Sequence, residues 1–124
     1  MKDYIATEYQ FSELTFIVFF TDNGGVREAW GAYKKLLKKH ADESQTRLPG
    51  LAKYSPDQLF FVSFGNVWCE TKTLEALAGQ LSADPHSPAP VRVKAVLSNM
   101  QEFQDAFKCK TGDKMVPEKR CIVW

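Results

Sequence analysis

His86 sits in the segment Asp84-Pro85-His86-Ser87-Pro88, and Arg92 follows it by six residues. Prolines on both sides restrict the backbone, so the imidazole is carried on a stiff loop. A carboxylate two residues away, Asp84, can fix the tautomer of the ring or favour its charged form. A His and an Arg projecting into one space suit the stabilisation of a polarised carbonyl or an oxyanion. The same residues also fit a plainer arrangement, a capped loop with a surface His and an Arg in a salt bridge. Asp22, beside Asn23-Gly24-Gly25, reads by itself as a turn acid.

Other chemistries find less support. With only two histidines, His40 and His86, no CxxC and no HExxH, the chain presents no zinc signature and no metal ligands are assigned. No GxSxG elbow suggests a serine hydrolase. The three cysteines, Cys69, Cys109 and Cys121, are far apart, and an odd count leaves at least one thiol free or paired elsewhere. Buried reduced thiols explain them as well as extracellular disulfides do.

The elements that would carry these residues read as helices. Val26, Trp30, Tyr33, Leu36 and Leu37 mark one face of a helix from about Val26 to His40, with Glu28 early and lysines late, as the helix dipole prefers. Asn23-Gly24-Gly25 before it reads as a turn, and 41–54 as a polar loop. Ser55-Pro56-Asp57 is a strong helix start. The helix it opens, to about Glu70, is apolar nearly all round and should be central and buried, with cover drawn from a larger body. A short helix is expected over Thr73–Leu81, a proline-rich loop over Ser82–Pro90, and two more short helices over Val91–Leu97 and Gln101–Phe107. The tail from Lys108 is irregular, and its apolar end Ile122-Val123-Trp124 is expected to dock. Only Phe16–Phe20 reads as a buried β-type run.

A net charge of +1, from 16 basic and 15 acidic side chains, gives no field for nucleic acid or an anionic membrane. No apolar stretch approaches the ~20 residues that span a bilayer, and Leu14–Phe20 lacks the basic start of a signal peptide.

Several stretches in order resemble the neprilysin and endothelin-converting-enzyme family of zinc endopeptidases. They are Asp22-Asn23-Gly24-Gly25 with Ala32-Tyr33, Leu48-Pro49-Gly50-Leu51, Gln58-Leu59-Phe60-Phe61, Val67-Trp68-Cys69 and Asp84-Pro85-His86-Ser87-Pro88. Arg92-Val93, Leu97-Ser98-Asn99, Phe103, Phe107-Lys108-Cys109 and Cys121-Ile122-Val123-Trp124 continue the set. The match runs from about Thr21 to Trp124. It implies a mainly α, C-terminal part of a thermolysin-like catalytic domain over 21–124, preceded by a non-family extension over 1–20. By the resemblance, His86 stabilises the tetrahedral transition state, Asp84 orients it, and Arg92 grips a substrate carbonyl. Val67 and Trp68 line the pocket just beyond the scissile bond. Asp22 orients a zinc-ligand histidine through the other ring nitrogen. Cys69, Cys109 and Cys121 have disulfide partners upstream.

The resemblance breaks at the metal. The third ligand, a Glu four residues before Asp22, falls on Val18, which has no lone pair, and no HExxH precedes it. Zinc is therefore expected in the intact family enzyme and not in this chain alone. The implied function is that of a C-terminal segment of a peptidase acting on small peptides, inactive by itself and completed by the missing N-terminal part. The implied location is the outer face of the plasma membrane, as in type II membrane proteins, or the secreted space. The other readings are a non-catalytic module that binds peptides or docks on a homologue, and a fragment that does not fold.

Overall fold

The computed structural model describes residues 13–41 and 47–120, with side chains in the first helix from Val18 onward. Among these residues there are five helices and no strand: α1 (Glu13–Lys39), α2 (Pro56–Val67), α3 (Leu74–Ala83), α4 (Ala89–Ser98) and α5 (Gln101–Phe107). The mainly α class holds. No helix among them is long and apolar enough to cross a membrane.

The first helix is twice corrected against expectation. Phe16–Phe20 is helical, not a strand, and Asn23-Gly24-Gly25 lies inside α1 instead of turning the chain. Each helical glycine costs about 1 kcal/mol relative to alanine, so something must hold this stretch. Asn23 is fully buried; its Nδ2 donates to the Phe19 carbonyl at 2.8 Å, and its Oδ1 accepts from Asn99 Nδ2 at 3.1 Å. Arg27 Nη2 donates to the Asn99 carbonyl at 2.7 Å. Residues 19, 23, 26, 27 and 30 share one helical face, so these bonds and the apolar contacts of Phe19, Val26 and Trp30 pin α1 along its length. Tertiary contact here overrides local turn preference. The helix also passes unbroken through Thr21, the expected boundary between extension and family sequence.

The second helix begins as expected. Ser55 Oγ accepts from Gln58 N at 3.1 Å, Gln58 Oε1 accepts from Ser55 N at 2.9 Å, and Pro56 occupies the first turn. Gln58 Nε2 also donates to the Ala106 carbonyl at 2.9 Å, tying α2 to α5. The helix is not buried all round: Phe61 is 2% exposed, but Val62 is 47% and Val67 75% exposed. The five helices cover only one of its faces. Phe61 stacks on Trp30 and meets Phe60 and Phe103 edge-on. Around it Phe19, Val26, Val96, Leu97 and Met100 complete the core, with α1 packed on α4, α2 on α5, and α4 on α5.

The proline-rich segment is shorter than expected. α3 runs to Ala83, and α4 starts at Ala89 with Pro90 in its first turn, where its missing N–H is no loss. α5 matches its expected span and ends on Lys108 in the left-handed conformation (φ 56°). Beyond it the chain is irregular, with Gly112 N donating to Val116 O at 3.0 Å and Val116 buried. The expected docking of Ile122-Val123-Trp124 falls outside the described residues, as does Cys121.

Candidate functional site

Arg92 is the centre of the site. It lies in the first turn of α4, its N–H bonded to the Pro88 carbonyl at 3.2 Å. From there the side chain reaches across to α1. Its Nε donates to Asp22 Oδ2 at 2.6 Å and its Nη2 to Asp22 Oδ1 at 2.5 Å. This is the two-pronged pairing that guanidinium geometry favours. Both side chains are sheltered, 16% exposed for Arg92 and 14% for Asp22. The indole of Trp68, which caps the C-terminus of α2, lies under the guanidinium with 3.9 Å from Cζ to the ring centroid. Three helices thus meet on one cation.

His86 stands on the loop between α3 and α4, with its side chain about half exposed. Asp84 caps α3 and turns its Oδ1 back to the loop. That oxygen accepts from the His86 backbone N–H at 2.8 Å and lies 2.7 Å from His86 Nδ1. The backbone N–H first, and then the ring, hold the Asp84 carboxyl below its ordinary range. The His86 carbonyl accepts from Gln80 Nε2 at 3.3 Å, and Gln80 Oε1 accepts from Lys72 Nζ at 2.6 Å. Lys72 pairs with Glu70 at 2.8 Å. Ser87, Pro88 and Ala89 are buried, so the far end of the loop is anchored.

The expected site residues therefore form two clusters. Asp22, Arg92 and Trp68 are in contact, and Asp84 is in contact with His86. The plainer sequence reading, an Arg in a salt bridge and a surface His, describes the local geometry; it did not name Asp22 as the partner, which lies 70 residues away. Val67 and Trp68, adjacent in sequence, part company. Val67 borders an apolar groove of about 650 Å³ between α1 and α2, with Val26, Tyr33, Leu37, Leu59, Phe60 and Phe64, whereas Trp68 covers Arg92. Lys72 and Gln80 were missed from sequence. Both are polar residues near a loop and carry no pattern that would single them out.

No group of three His, Cys, Asp or Glu side chains among the described residues converges to hold a metal ion. Both Asp22 oxygens face Arg92, His86 Nδ1 faces Asp84, and Val18 offers no donor. These residues do not fit a zinc ion. Cys69 and Cys109 are free thiols, Cys69 exposed and Cys109 partly buried.

Comparison with known proteins gives a consistent answer. The sequence profile of "Peptidase family M13" matches residues 7–123, starting upstream of Thr21. Neprilysin-1 of Caenorhabditis elegans is 48% identical over 103 residues, which are 83% of this chain and 14% of that protein. Neprilysin-3 of Drosophila melanogaster and an endothelin-converting enzyme homolog of Locusta migratoria are each 47% identical over 103 residues, 83% of this chain and 13% and 14% of those proteins. A solved structure, "Haemonchus galactose containing glycoprotein complex", superposes with a TM-score of 0.86 at 36% identity, over 97% of this chain and 22% of that one. The chain spans about one-seventh of the length of these curated relatives. With the order of motifs, the helical fold and the sequence match in agreement, the chain belongs to peptidase family M13, the family of the neprilysins and endothelin-converting enzymes.

Proposed function

We propose that this chain is the C-terminal segment of a neprilysin-like zinc metalloendopeptidase, and that its share of the chemistry is to grip a peptide and stabilise charge beside the scissile bond. The clamped Arg92 carries the reading. With one edge held by Asp22, the guanidinium is fixed in place before a ligand arrives, which lowers the entropy lost on binding. Its remaining N–H groups suit a peptide carbonyl. His86 is held through Nδ1 by Asp84, and in the doubly protonated ring Nε2 donates to a developing oxyanion. Val67 and the groove beside it suit an apolar substrate side chain. Asp22 would be shared between Arg92 and the ring N–H of a metal-ligand histidine outside this chain.

Zinc in such an enzyme lowers the pKa of a bound water and polarises the substrate carbonyl. Since the residues described here do not fit the ion, the chain alone is expected to take up no stoichiometric zinc and to cleave nothing. Cys69, Cys109 and Cys121 would pair with cysteines of the remaining peptidase, and the exposure of Cys69 supports this. The compartment would then be extracellular, on the outer membrane face or secreted.

The test is complementation. A family member truncated before the Asp-Asn-Gly-Gly motif is mixed with this chain and a fluorogenic peptide. Zinc-dependent cleavage should appear only in the mixture. His86→Ala should lower its turnover by about 10²–10³. Chelator-sensitive cleavage by this chain alone, or restoration indifferent to His86, would overturn the reading.

A second reading, a non-catalytic docking module, is favoured by one observation. The groove between α1 and α2, and the apolar side chains of Leu36, Leu48 and Leu51, lie open to solvent. Zinc-independent peptide binding that requires Arg92, with no complementation, would favour it.

A further inference from the structure

We propose that Trp68 is a positioning residue for Arg92: its indole face holds the guanidinium in the one orientation that pairs with Asp22 and leaves Nη1 for a ligand carbonyl. The inference rests on the reading of Arg92 as a peptide-gripping residue. It gives Trp68 a part beyond lining an apolar pocket.

The geometry points this way at three places. The guanidinium carbon lies 3.9 Å from the centre of the indole ring, close enough for the cation to sit on the negative face of the ring. Asp22 takes Nε and Nη2. No hydrogen bond engages Nη1 among the described residues. The carboxylate fixes the edge of the guanidinium and the indole fixes its plane. An edge contact alone leaves rotation about the axis of the salt bridge, and a face contact alone leaves sliding. Together they leave one pose.

Trp68 has its backbone fixed by the end of a helix. It is the C-cap residue of α2, its backbone N–H bonded to the Gly65 carbonyl at 3.2 Å. It is not among the residues lining the α1–α2 groove, although Val67 is.

A carbonyl binds Nη1 as a neutral acceptor, because Asp22 already balances the charge. A free carboxylate would meet the field of Asp22 and be disfavoured. The site so built takes an internal peptide carbonyl in preference to a chain end.

The test reads Arg92 directly in the full chain, by nuclear magnetic resonance of its Nε–H. In the unmodified protein the Nε–H should exchange slowly, and the Cδ protons of Arg92 should be shifted upfield by the indole. Trp68→Leu, apolar but without a π-face, should speed Nε–H exchange about fivefold to thirtyfold, as expected for the loss of a sheltered cation–π contact. Trp68→Phe should restore most of the protection. Equal protection in Trp68→Leu and the parent would overturn the proposal. If Trp68→Leu does not fold, the parent alone decides: Cδ protons with no upfield shift would overturn it. Peptide cleavage is not read in this experiment, so a clamped Arg92 in a chain that fails complementation separates this inference from the proposed function.

Discussion

Replacing Asp22 with Asn keeps the shape of the side chain and removes the charge that Arg92 faces. Two short hydrogen bonds of 2.6 and 2.5 Å are weakened together, in side chains only 14% and 16% exposed. Solvent-exposed ion pairs are worth ~0.2–1 kcal/mol, whereas removing one partner of a fully buried pair costs ~3–5 kcal/mol. The Asp22–Arg92 pair lies between these limits, and charge-assisted bonds of this kind contribute ~1.5–3 kcal/mol, so Asp22→Asn should lose about 2–3 kcal/mol of folding stability. Arg92→Met should lose a similar amount, because it strands the carboxylate. The double variant has no orphaned charge. It should lose little more than either single variant, which gives a coupling energy of about 2 kcal/mol. Urea titrations of the four proteins measure this, and thermal melts provide a check, since 1 kcal/mol moves the midpoint of a domain this size by ~4–8 °C. The coupling should persist in high salt, because sheltered pairs are poorly screened. A coupling below about 0.5 kcal/mol would show the pair to be a surface ornament and would refute the argument that Arg92 is held before a ligand binds.

Phe61→Ala should cost ~3–5 kcal/mol, more than any other single truncation in α2, because Phe61 alone on that helix is buried and meets four other rings; a loss under about 1 kcal/mol by urea melt would disprove its central place. Tyr33, pushed up to about 12 by burial and by the Asp57 carboxylate, should ionise late in an ultraviolet titration. Its folded pKa is raised, so its contribution to stability is full below pH 10 and is lost as pH rises through about 12; Asp57→Asn should bring the midpoint down, and an unchanged midpoint would count against the carboxylate as a cause. Asp84 has the opposite sign. Its carboxyl lies below the ordinary range, so the order it gives the His86 loop is present above the unfolded pKa and fades as pH falls through the folded one. A carbon-detected titration of Asp84 giving an ordinary midpoint would remove that account. Cys69, exposed, should react with a thiol reagent sooner than Cys109, and the reverse order would contradict the placement of α2's end.

How far the sequence could be read depended on the range of the interaction. The N-terminus of α2 was legible because Ser55, Pro56 and the residues after them set it locally. The Asp84–His86 contact was legible for the same reason, since two residues separate the partners. Phe16–Phe20 and Asn23-Gly24-Gly25 were misread because their propensities favour strand and turn, and what outweighs them lies far along the chain. Asn99, 76 residues from Asn23, supplies the bond that commits Asn23 to a helix. The ion pair of Asp22 with Arg92 was hidden likewise. Motif resemblance singled out both residues but could not say that they touch.

The continuous first helix changes what Val18 means. In a strand, position 18 would lie about 13 Å from position 22, too far to serve one ion. In α1 it lies one turn earlier on the same face, and Thr21 Oγ1 donates to its carbonyl at 2.8 Å. A side chain at position 18 would therefore stand beside Asp22, and the valine there has no lone pair. Asp22 and Arg92 pair within the chain itself, over the ring of Trp68. The charge balance between Asp22 and Arg92 leaves neither sheltered charge uncompensated.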